Sequence, residues 1–492
     1  MDLPNETYPL EADAATLDAW LAQAGEVLGA HLAALPTADA HGPVGARGLA
    51  VAEQISTPIT EQPATGGMRP VLDRVMRAAE ASLGTAGPGY LAYVPGGGLP
   101  AAAVAGLVAD CINRYTGLTA AAPALCRLEG DVLSWLAAEF GYDPVRARGL
   151  LTSGGSLATF SALVTARHAA FGDSGDYSRA VLYVSSQAHH SVAKAAMLAG
   201  IPSVGVSTVA VDGRLRLDPQ DLRARIEADV AAGRTPFAVV SAAGTTNTGA
   251  IDPLHAVSEM AQAHGLWHHV DAAYGGGFIL CPEGRSRLDG IARADSMTFD
   301  PHKGMFLPYG TGCLLVADGE QLRRAHHGGA AYLQDFDRLD RSGEAPSPTE
   351  YGPELSRPYR GLALWLPLVL HGAAAFRSAS AEKLALAEHF HRELSQRVTD
   401  GAPIEIVDAP QLSTVAFRLQ RGDGEALSRW NERNARWLAA INDRQRVYLS
   451  STQLPVADGA AFTLRVCVLS FRTHQPHIDA ALDDLAATSL VV

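Results

Sequence analysis

Four stretches of this chain have residue types and spacings that could do chemistry. The first is Ser296-Met297-Thr298-Phe299-Asp300-Pro301-His302-Lys303-Gly304, an apolar, strand-like run that ends in charged residues, with a Gly-rich, polar loop after it. Of the 39 Lys and Arg residues only three are lysines: Lys194, Lys303 and Lys383. A lysine just past a buried strand, beside a histidine, can lose its water and have its pKa lowered, as a Schiff-base lysine requires. The alternative is a surface lysine in a turn. The second stretch is Leu150-Leu151-Thr152-Ser153-Gly154-Gly155-Ser156, followed by good helix formers over 157–170. Glycines that open a helix leave backbone N–H groups unpaired at the positive end of its dipole, which suits an anion. No Gly-Lys-Ser/Thr follows, so this is not a P-loop, and a single phosphate is expected, not a triphosphate with magnesium. A plain capped helix is the other reading.

The third stretch, Gln187-Ala188-His189-His190-Ser191, places an imidazole where it could lie on a planar ligand, although such a histidine can equally be a cap. The fourth is Leu266-Trp267-His268-His269-Val270-Asp271-Ala272-Ala273-Tyr274, in which Asp271 is a carboxylate that could be buried with a cationic partner. His268 and His269 invite a metal reading. Neighbours on a strand point to opposite faces, so the two cannot grip one ion, and no metal is expected. Gly244-Thr245-Thr246-Asn247-Thr248-Gly249 adds small residues that let a ligand approach the backbone.

The elements that must position these groups alternate from about residue 122. Helical stretches at 128–140, 157–170 and 192–198 separate apolar strands that end near Leu151, Ser186, Ala243, Val270 and Phe299. Apolar strands alternating with helices imply a mostly parallel sheet covered on both faces, whose ligands sit at the carboxyl ends of the strands. Gly154, His189, Thr246, Asp271 and Lys303 all fall at or just past such ends. From about Arg377 the pattern changes to a smaller α+β unit: helices at 381–398, 426–441 and 478–487, with strands at 404–407, 414–418, 446–450 and 463–471. Residues 1–95 read as a helical arm that packs on the main body or on a second subunit, 96–376 as the large domain and 377–492 as the small one. Gly96, Gly98 and Ala101 imitate a dinucleotide fingerprint, but no strand ending in an acidic residue follows about twenty positions later. The segment 89–101 reads instead either as a flexible wall carrying Tyr90 and Tyr93 near a ligand, or as a glycine loop that turns the chain.

Composition narrows the function classes. A chain of 492 residues exceeds one typical core, and a formal net charge of −13 argues against nucleic-acid or anionic-membrane partners. Five scattered cysteines without a CxxC pair indicate neither a disulfide framework nor a thiolate zinc site. Residues 1–11 lack the basic and apolar parts of a signal peptide, so a cytoplasmic enzyme is the default expectation. The most apolar run, 361–376, contains Pro367 and His371 and is short of a membrane span, so a buried helix is expected there. The stretch 337–353 is polar and Pro-rich, as a mobile loop would be.

An anion site, a carboxylate, a stacking imidazole and a reactive lysine together suit pyridoxal 5′-phosphate. The motifs Thr152-Ser153-Gly154-Gly155-Ser156, Gln187-Ala188-His189, His269-Val270-Asp271-Ala272-Ala273-Tyr274 and Asp300-Pro301-His302-Lys303 resemble those of the group II pyridoxal-phosphate-dependent amino-acid decarboxylases. The resemblance implies the fold type I (aspartate-aminotransferase-like) α/β architecture and a homodimer with active sites at the subunit interface. It also implies that Lys303 forms the internal aldimine and Asp271 holds the ring nitrogen. His189 would stack on the ring, with Ala273 on its other face and Thr246 nearby. Gly154, Gly155, Ser156 and His302 would serve the phosphate and the surroundings of the lysine. Tyr332 matches the mobile-loop tyrosine that protonates the α-carbon after a quinonoid forms. Related aldehyde synthases carry phenylalanine there, so Tyr332 favours a simple amine product. Animal aromatic decarboxylases commonly have Asn where this chain has Asp300. A carboxylate there would repel a phosphate, so backbone is its expected partner. Gly117, Thr119 and the triple glycine 96–98 differ from the bulky pocket residues of aromatic members, and no charged residue there suits a charged side chain. The expected substrate is a neutral hydrophobic or aromatic L-amino acid. The alternative is another reaction of the same cofactor: an aldehyde synthase, an aminotransferase or a carbon–carbon lyase.

Overall fold

The strand β2 (Ala180–Ser185) shows how the large domain is assembled. All six of its residues are buried, and their side chains alternate between two cores, as the period of two requires. Ala180, Leu182 and Val184 pack with helices α6 (Gly155–Phe171) and α7 (His190–Leu198). Val181 and Tyr183 pack with α8 (Pro219–Ala231) and α9 (Leu254–His264). A strand covered on both faces must be apolar throughout, and the sequence Ala-Val-Leu-Tyr-Val-Ser obeys this.

The computed structural model describes residues 10–173, 175–328 and 347–489. The large sheet has seven strands in the order β1-β7-β6-β5-β4-β2-β3. Here β1 is Arg148–Thr152, β3 Val206–Val209, β4 Thr235–Ala242, β5 Trp267–Asp271, β6 Ser296–Phe299 and β7 Gly312–Val316. Only β7 runs against the rest: it pairs antiparallel with both β1 and β6, while β5 pairs parallel with β4 and β6. The sheet is therefore mostly parallel, as the alternation of elements implies. Strands β3 and β7 were not foreseen from the sequence. The "polar loop" after Lys303 turns after a few residues into the fully buried run Gly-Cys-Leu-Leu-Val.

The small domain is a four-stranded antiparallel sheet, β10-β11-β9-β8, comprising β8 (Ile404–Ile406), β9 (Thr414–Leu419), β10 (Ser450–Val456) and β11 (Gly459–Cys467). The expected strands at 446–450 and 463–471 are thus displaced. Residues 446–449 instead run beside the glycine-rich segment: Leu91 N–H donates to Tyr448 O at 3.0 Å, and Tyr448 N–H to Gly89 O at 2.9 Å. The strand proper begins at Ser450 and turns back at 456–459. The long helix Ala373–Thr399 joins the two units. Its Phe376 and Leu384 belong to the large-domain core, and its Phe390 and Leu394 to that of the small domain.

The apolar run 361–376 is not one helix. Arg360–His371 ends at Gly372, whose φ of 72° suits only glycine, and the next helix leaves at 92°. Val369 and Leu370 on the first helix are exposed, so that helix is only partly buried. Among the described residues no single helix is long and apolar enough to cross a membrane; only this bent pair passes jointly.

At the N-terminus, α1 (Ala14–Ala34) leaves Leu17, Trp20, Leu21 and Leu28 exposed, and α2 (Ala46–Ile55) and α3 (Met68–Glu80) follow it. The segment 89–101 lines no part of the cavity described below. Tyr90 is buried and stacked on Tyr448, with ring centroids 6.1 Å apart, while Tyr93 is exposed. Gly96 and Gly97 lie so close to Tyr309, Phe306 and Phe471 that a side chain there would collide with them. The segment turns and packs the chain, and among the described residues no sheet strand precedes its helix α4 (Pro100–Ile112).

Candidate active site

The carboxyl ends of β1, β4, β5 and β6 converge on a cavity of about 360 Å³, within the ordinary range for small-molecule sites. Gly154, Gly155, Ser156, His189, Thr246, Asp271, Ala273, His302 and Lys303 all line it. The chain places these nine residues, chosen from five separate stretches, around one space. Tyr332 lies outside the described residues, as does most of the 337–353 loop. Of that loop only Ser347 onward is described, with Ser347 and Glu350 forming a capping box on the short turn Pro348–Glu350.

Helix α6 opens into the cavity without a side-chain cap, because its N-cap is Gly154. Close packing explains that glycine's partner: a Cβ on Gly312, the first residue of β7, would fall 2.4 Å from the Gly154 carbonyl carbon. The lysine is held by a similar approach. Lys303 and Gly304 N–H groups donate to Asp300 O, closing a tight turn, and the turn rests on Gly277. A Cβ on Gly277 would stand 2.5 Å from the Gly304 Cα, so both positions require glycine if Lys303 is to sit where it does.

The Lys303 side chain is 24% exposed, and its Nζ lies 2.9 Å from Asp300 Oδ2. The sequence suggested an amine stripped of water; instead it has a carboxylate partner. The expectation that Asp300 would hydrogen-bond backbone is also corrected. Its Oδ2 faces Lys303, and its Oδ1 is buried with no partner among the described residues. His302 donates from Nδ1 to Thr311 O at 2.7 Å, leaving Nε2 as the lone-pair nitrogen, 3.7 Å from Asp300 Oδ2. Burial lowers the His302 pKa, so the ring is neutral.

His189 is the N-cap of α7. Its Nδ1 accepts from Ser191 N–H at 3.3 Å and lies 2.7 Å from Ser191 Oγ. Since a backbone N–H can only donate, the proton of the neutral ring sits on Nε2. Burial lowers the His189 pKa, with Asp271 opposing, which keeps the ring neutral near pH 7. Asp271 Oδ1 accepts from Ala273 N–H at 3.1 Å. Burial raises the Asp271 pKa, opposed by that N–H and by the positive charge of Lys303. A bound cation would favour its charged form further.

The sequence reading missed three contributors. Ser191 fixes the His189 tautomer; its place two residues after a predicted cap was the available signal. Tyr274, at the end of the Asp-Ala-Ala-Tyr motif, lines the cavity, and its hydroxyl lies 2.8 Å from Ser413 Oγ, tying the site to the small domain. Thr159 begins a buried chain: Thr159 Oγ1 is 3.1 Å from Thr298 Oγ1, which is 3.2 Å from His269 Nε2, and His269 Nδ1 is 2.8 Å from Ser296 Oγ. His268 points to the other face of the sheet, between Ser241 and Ser258.

The sheet, the small domain and the cavity at the strand ends define a fold type I pyridoxal-phosphate enzyme. A model of the pyridoxal-dependent decarboxylase conserved domain matches residues 81–420. The aromatic-L-amino-acid decarboxylase of Bacillus atrophaeus is 34% identical over 386 residues, 78% of this chain and 78% of that protein. A phenylacetaldehyde synthase of Arabidopsis thaliana is 28% identical over 407 residues, 80% of each chain. A crystal structure of Oryza sativa TDC with PLP and tryptamine superposes with a TM-score of 0.87 at 26% identity, covering 99% of each chain. The chain belongs to the pyridoxal-dependent decarboxylase family. It is a carboxy-lyase of amino-acid metabolism whose cofactor is pyridoxal 5′-phosphate. The residues present fit that cofactor: an uncapped helix start for a phosphate, an amine within the cavity, and a carboxylate on the end of the neighbouring strand for a ring N–H.

Proposed function

We propose that this enzyme decarboxylates an aromatic L-amino acid to its amine and carbon dioxide. The observation that carries this reading is the Lys303 amine in a cavity shared by the α6 N-terminus, Asp271 and His189. The named relatives, which act on aromatic substrates or hold tryptamine, support an aromatic side chain.

When bound, the cofactor supplies a carbon that captures amines and a ring that accepts the electron pair left by departing carbon dioxide. The protein's own residues do the rest. Lys303 Nζ is the amine that would hold the cofactor. Asp271 would keep the ring nitrogen protonated, which favours its pull on electrons. The backbone N–H groups of Gly155 and Ser156, at the start of α6, receive the phosphate. Ala273, His189 and Thr246, which line the same cavity, would flank the ring. His189 Nε2–H is the donor available to a carboxylate lying across the ring, and holding that group in place is worth more inside a water-poor pocket than in solution. Tyr332 would be the residue that returns a proton to the α-carbon. Arg465 is buried, and among the described residues it has no carboxylate partner. It donates to Asn247 O at 3.3 Å and steadies the loop that carries Thr246.

On this reading residues 1–95 pack a second copy of the chain, 96–376 bind the cofactor and 377–492 form the small domain. The exposed Leu17, Trp20, Leu21 and Leu28 of α1 and Val104, Leu107 and Ile112 of α4 support a homodimer, since so much apolar surface is rarely left to water.

The phenylacetaldehyde synthase relative favours one competing outcome, an aldehyde product. Incubation with L-tryptophan, L-tyrosine, L-phenylalanine and the other common amino acids separates the two. Carbon dioxide and amine in equal amounts support decarboxylation, whereas aldehyde with ammonia and peroxide overturns it. Tyr332→Phe is expected to divert product towards aldehyde; an unchanged amine yield counts against Tyr332 as the proton donor.

A further inference from the structure

Asp300 is the cavity residue for which the proposed reaction has no task. It follows β6, its side chain is 3% exposed, and its two oxygens have different surroundings. Oδ2 is 2.9 Å from Lys303 Nζ and 3.7 Å from His302 Nε2, while Oδ1 is buried and unpartnered. A Cβ built on Gly155, the first residue of α6, would stand 3.0 Å from Oδ2 and 3.2 Å from Oδ1. The carboxylate therefore lies against the start of the helix that the cofactor phosphate is to use. The positive end of α6 already has an anion beside it, and that anion is part of the chain.

A carboxylate and a phosphate dianion both offer only lone pairs, so side by side neither can donate to the other, and their charges repel. The turn at Lys303 does not need the Asp300 side chain, because the N–H groups of Lys303 and Gly304 use its backbone carbonyl. Holding the amine and opposing a phosphate are what is left for the carboxylate to do.

We propose that Asp300 is a built-in competitor for the cofactor phosphate: its carboxylate, paired with Lys303, lies against the start of α6 and weakens the hold of that helix on phosphate. Retention of the cofactor then rests on its bond to Lys303 more than on its phosphate. The enzyme thereby discriminates between the aldehyde form of the cofactor, which can join the lysine, and the amine form, which cannot and is released. This rests on the cofactor assignment above and adds the residue that sets the affinity.

The test is calorimetric titration of the full chain, freed of cofactor, in wild-type, Asp300→Asn and Asp300→Ser forms. The probes are pyridoxamine 5′-phosphate, inorganic phosphate and phosphate-free pyridoxamine, with pyridoxal 5′-phosphate as the control for the cofactor assignment. Asn keeps the shape and Ser removes the charge by a different route, so failure of one variant to fold leaves the other informative. Both variants are expected to bind the two phosphate-bearing probes at least about tenfold more tightly than wild type, with pyridoxamine unchanged. Equal affinities in all three proteins, or an equal gain for pyridoxamine, would overturn the role of Asp300 while the cofactor assignment stands. If none of the three binds pyridoxal 5′-phosphate, the cofactor assignment falls instead.

Discussion

Two of the three lysines in this chain sit beside carboxylates, and their surroundings separate chemistry from architecture. Lys383, on the long connecting helix, is fully buried. Its Nζ donates to Thr473 O and lies 2.8 Å from Glu382 Oε2. Burial lowers its pKa and Glu382 opposes the shift, and its two contacts make it a pinned strut between the helix and the end of the small domain. Lys303 also has a carboxylate at 2.9 Å, but its other side opens on a cavity of about 360 Å³. Lys194, on α7, is exposed. Burial and a charged partner therefore do not by themselves mark a reactive lysine. An amine with one partner and a space on its far side does.

The contrast is sharpest in a pair of substitutions. Lys303→Met is expected to abolish amine production and to leave a folded protein, since the turn around it is held by backbone bonds. Lys383→Met is expected to leave turnover unchanged and to lower stability by about 1–3 kcal/mol, the cost of stranding the Thr473 carbonyl. Steady-state kinetics and urea denaturation of both variants check this, and a catalytic loss in Lys383→Met would dissolve the distinction. A step smaller is Asp271→Asn, the carboxylate on the open side of the same comparison. Losing the charge that holds the ring proton is expected to lower kcat by about 10²–10³-fold, measured at saturating substrate, with stability little changed.

The closed side of the comparison has a pH signature. Burial lowers the pKa of His269 to about 3 and of His268 to about 4. Both lie below the unfolded value of about 6.5, so the unfolded chain takes up protons first as the pH falls. Their contribution is complete well above pH 6.5 and is lost progressively as the pH falls, down to about 4 for His268 and about 3 for His269, with about 2 kcal/mol each gone by pH 5. Buried Asp252, raised to about 6, works the other way and offsets part of the loss below pH 6. The drop in unfolding free energy between pH 7 and pH 5 is expected to shrink by about 2 kcal/mol in His269→Asn. An unchanged drop would show that His269 does not titrate on unfolding.

Much of the site was legible in the sequence because strand ends are marked by a change of residue type. Asp271 follows an apolar run and precedes small residues, and Gly154 follows two leucines and a threonine; the parallel sheet then brings such ends together. What was not legible depended on long-range pairing. The run 446–449 has strand composition but pairs with 89–91, and only the fold shows that Tyr90 spends its ring on Tyr448 and not on a ligand. Asp300 is the other case. Its type could be read, but its partner could not, because the position of Lys303 one turn on depends on the contact of Gly277 with Gly304.

The central claim is that Lys303, and neither of the other lysines, carries the cofactor. Borohydride reduction of the holoenzyme followed by peptide mapping tests it directly. The expected result is a single reduced phosphopyridoxyl adduct on Lys303, with loss of the absorbance near about 420 nm typical of a lysine-bound cofactor. An adduct on Lys194 or Lys383, or none on any lysine of a holoenzyme that still turns over, would contradict it.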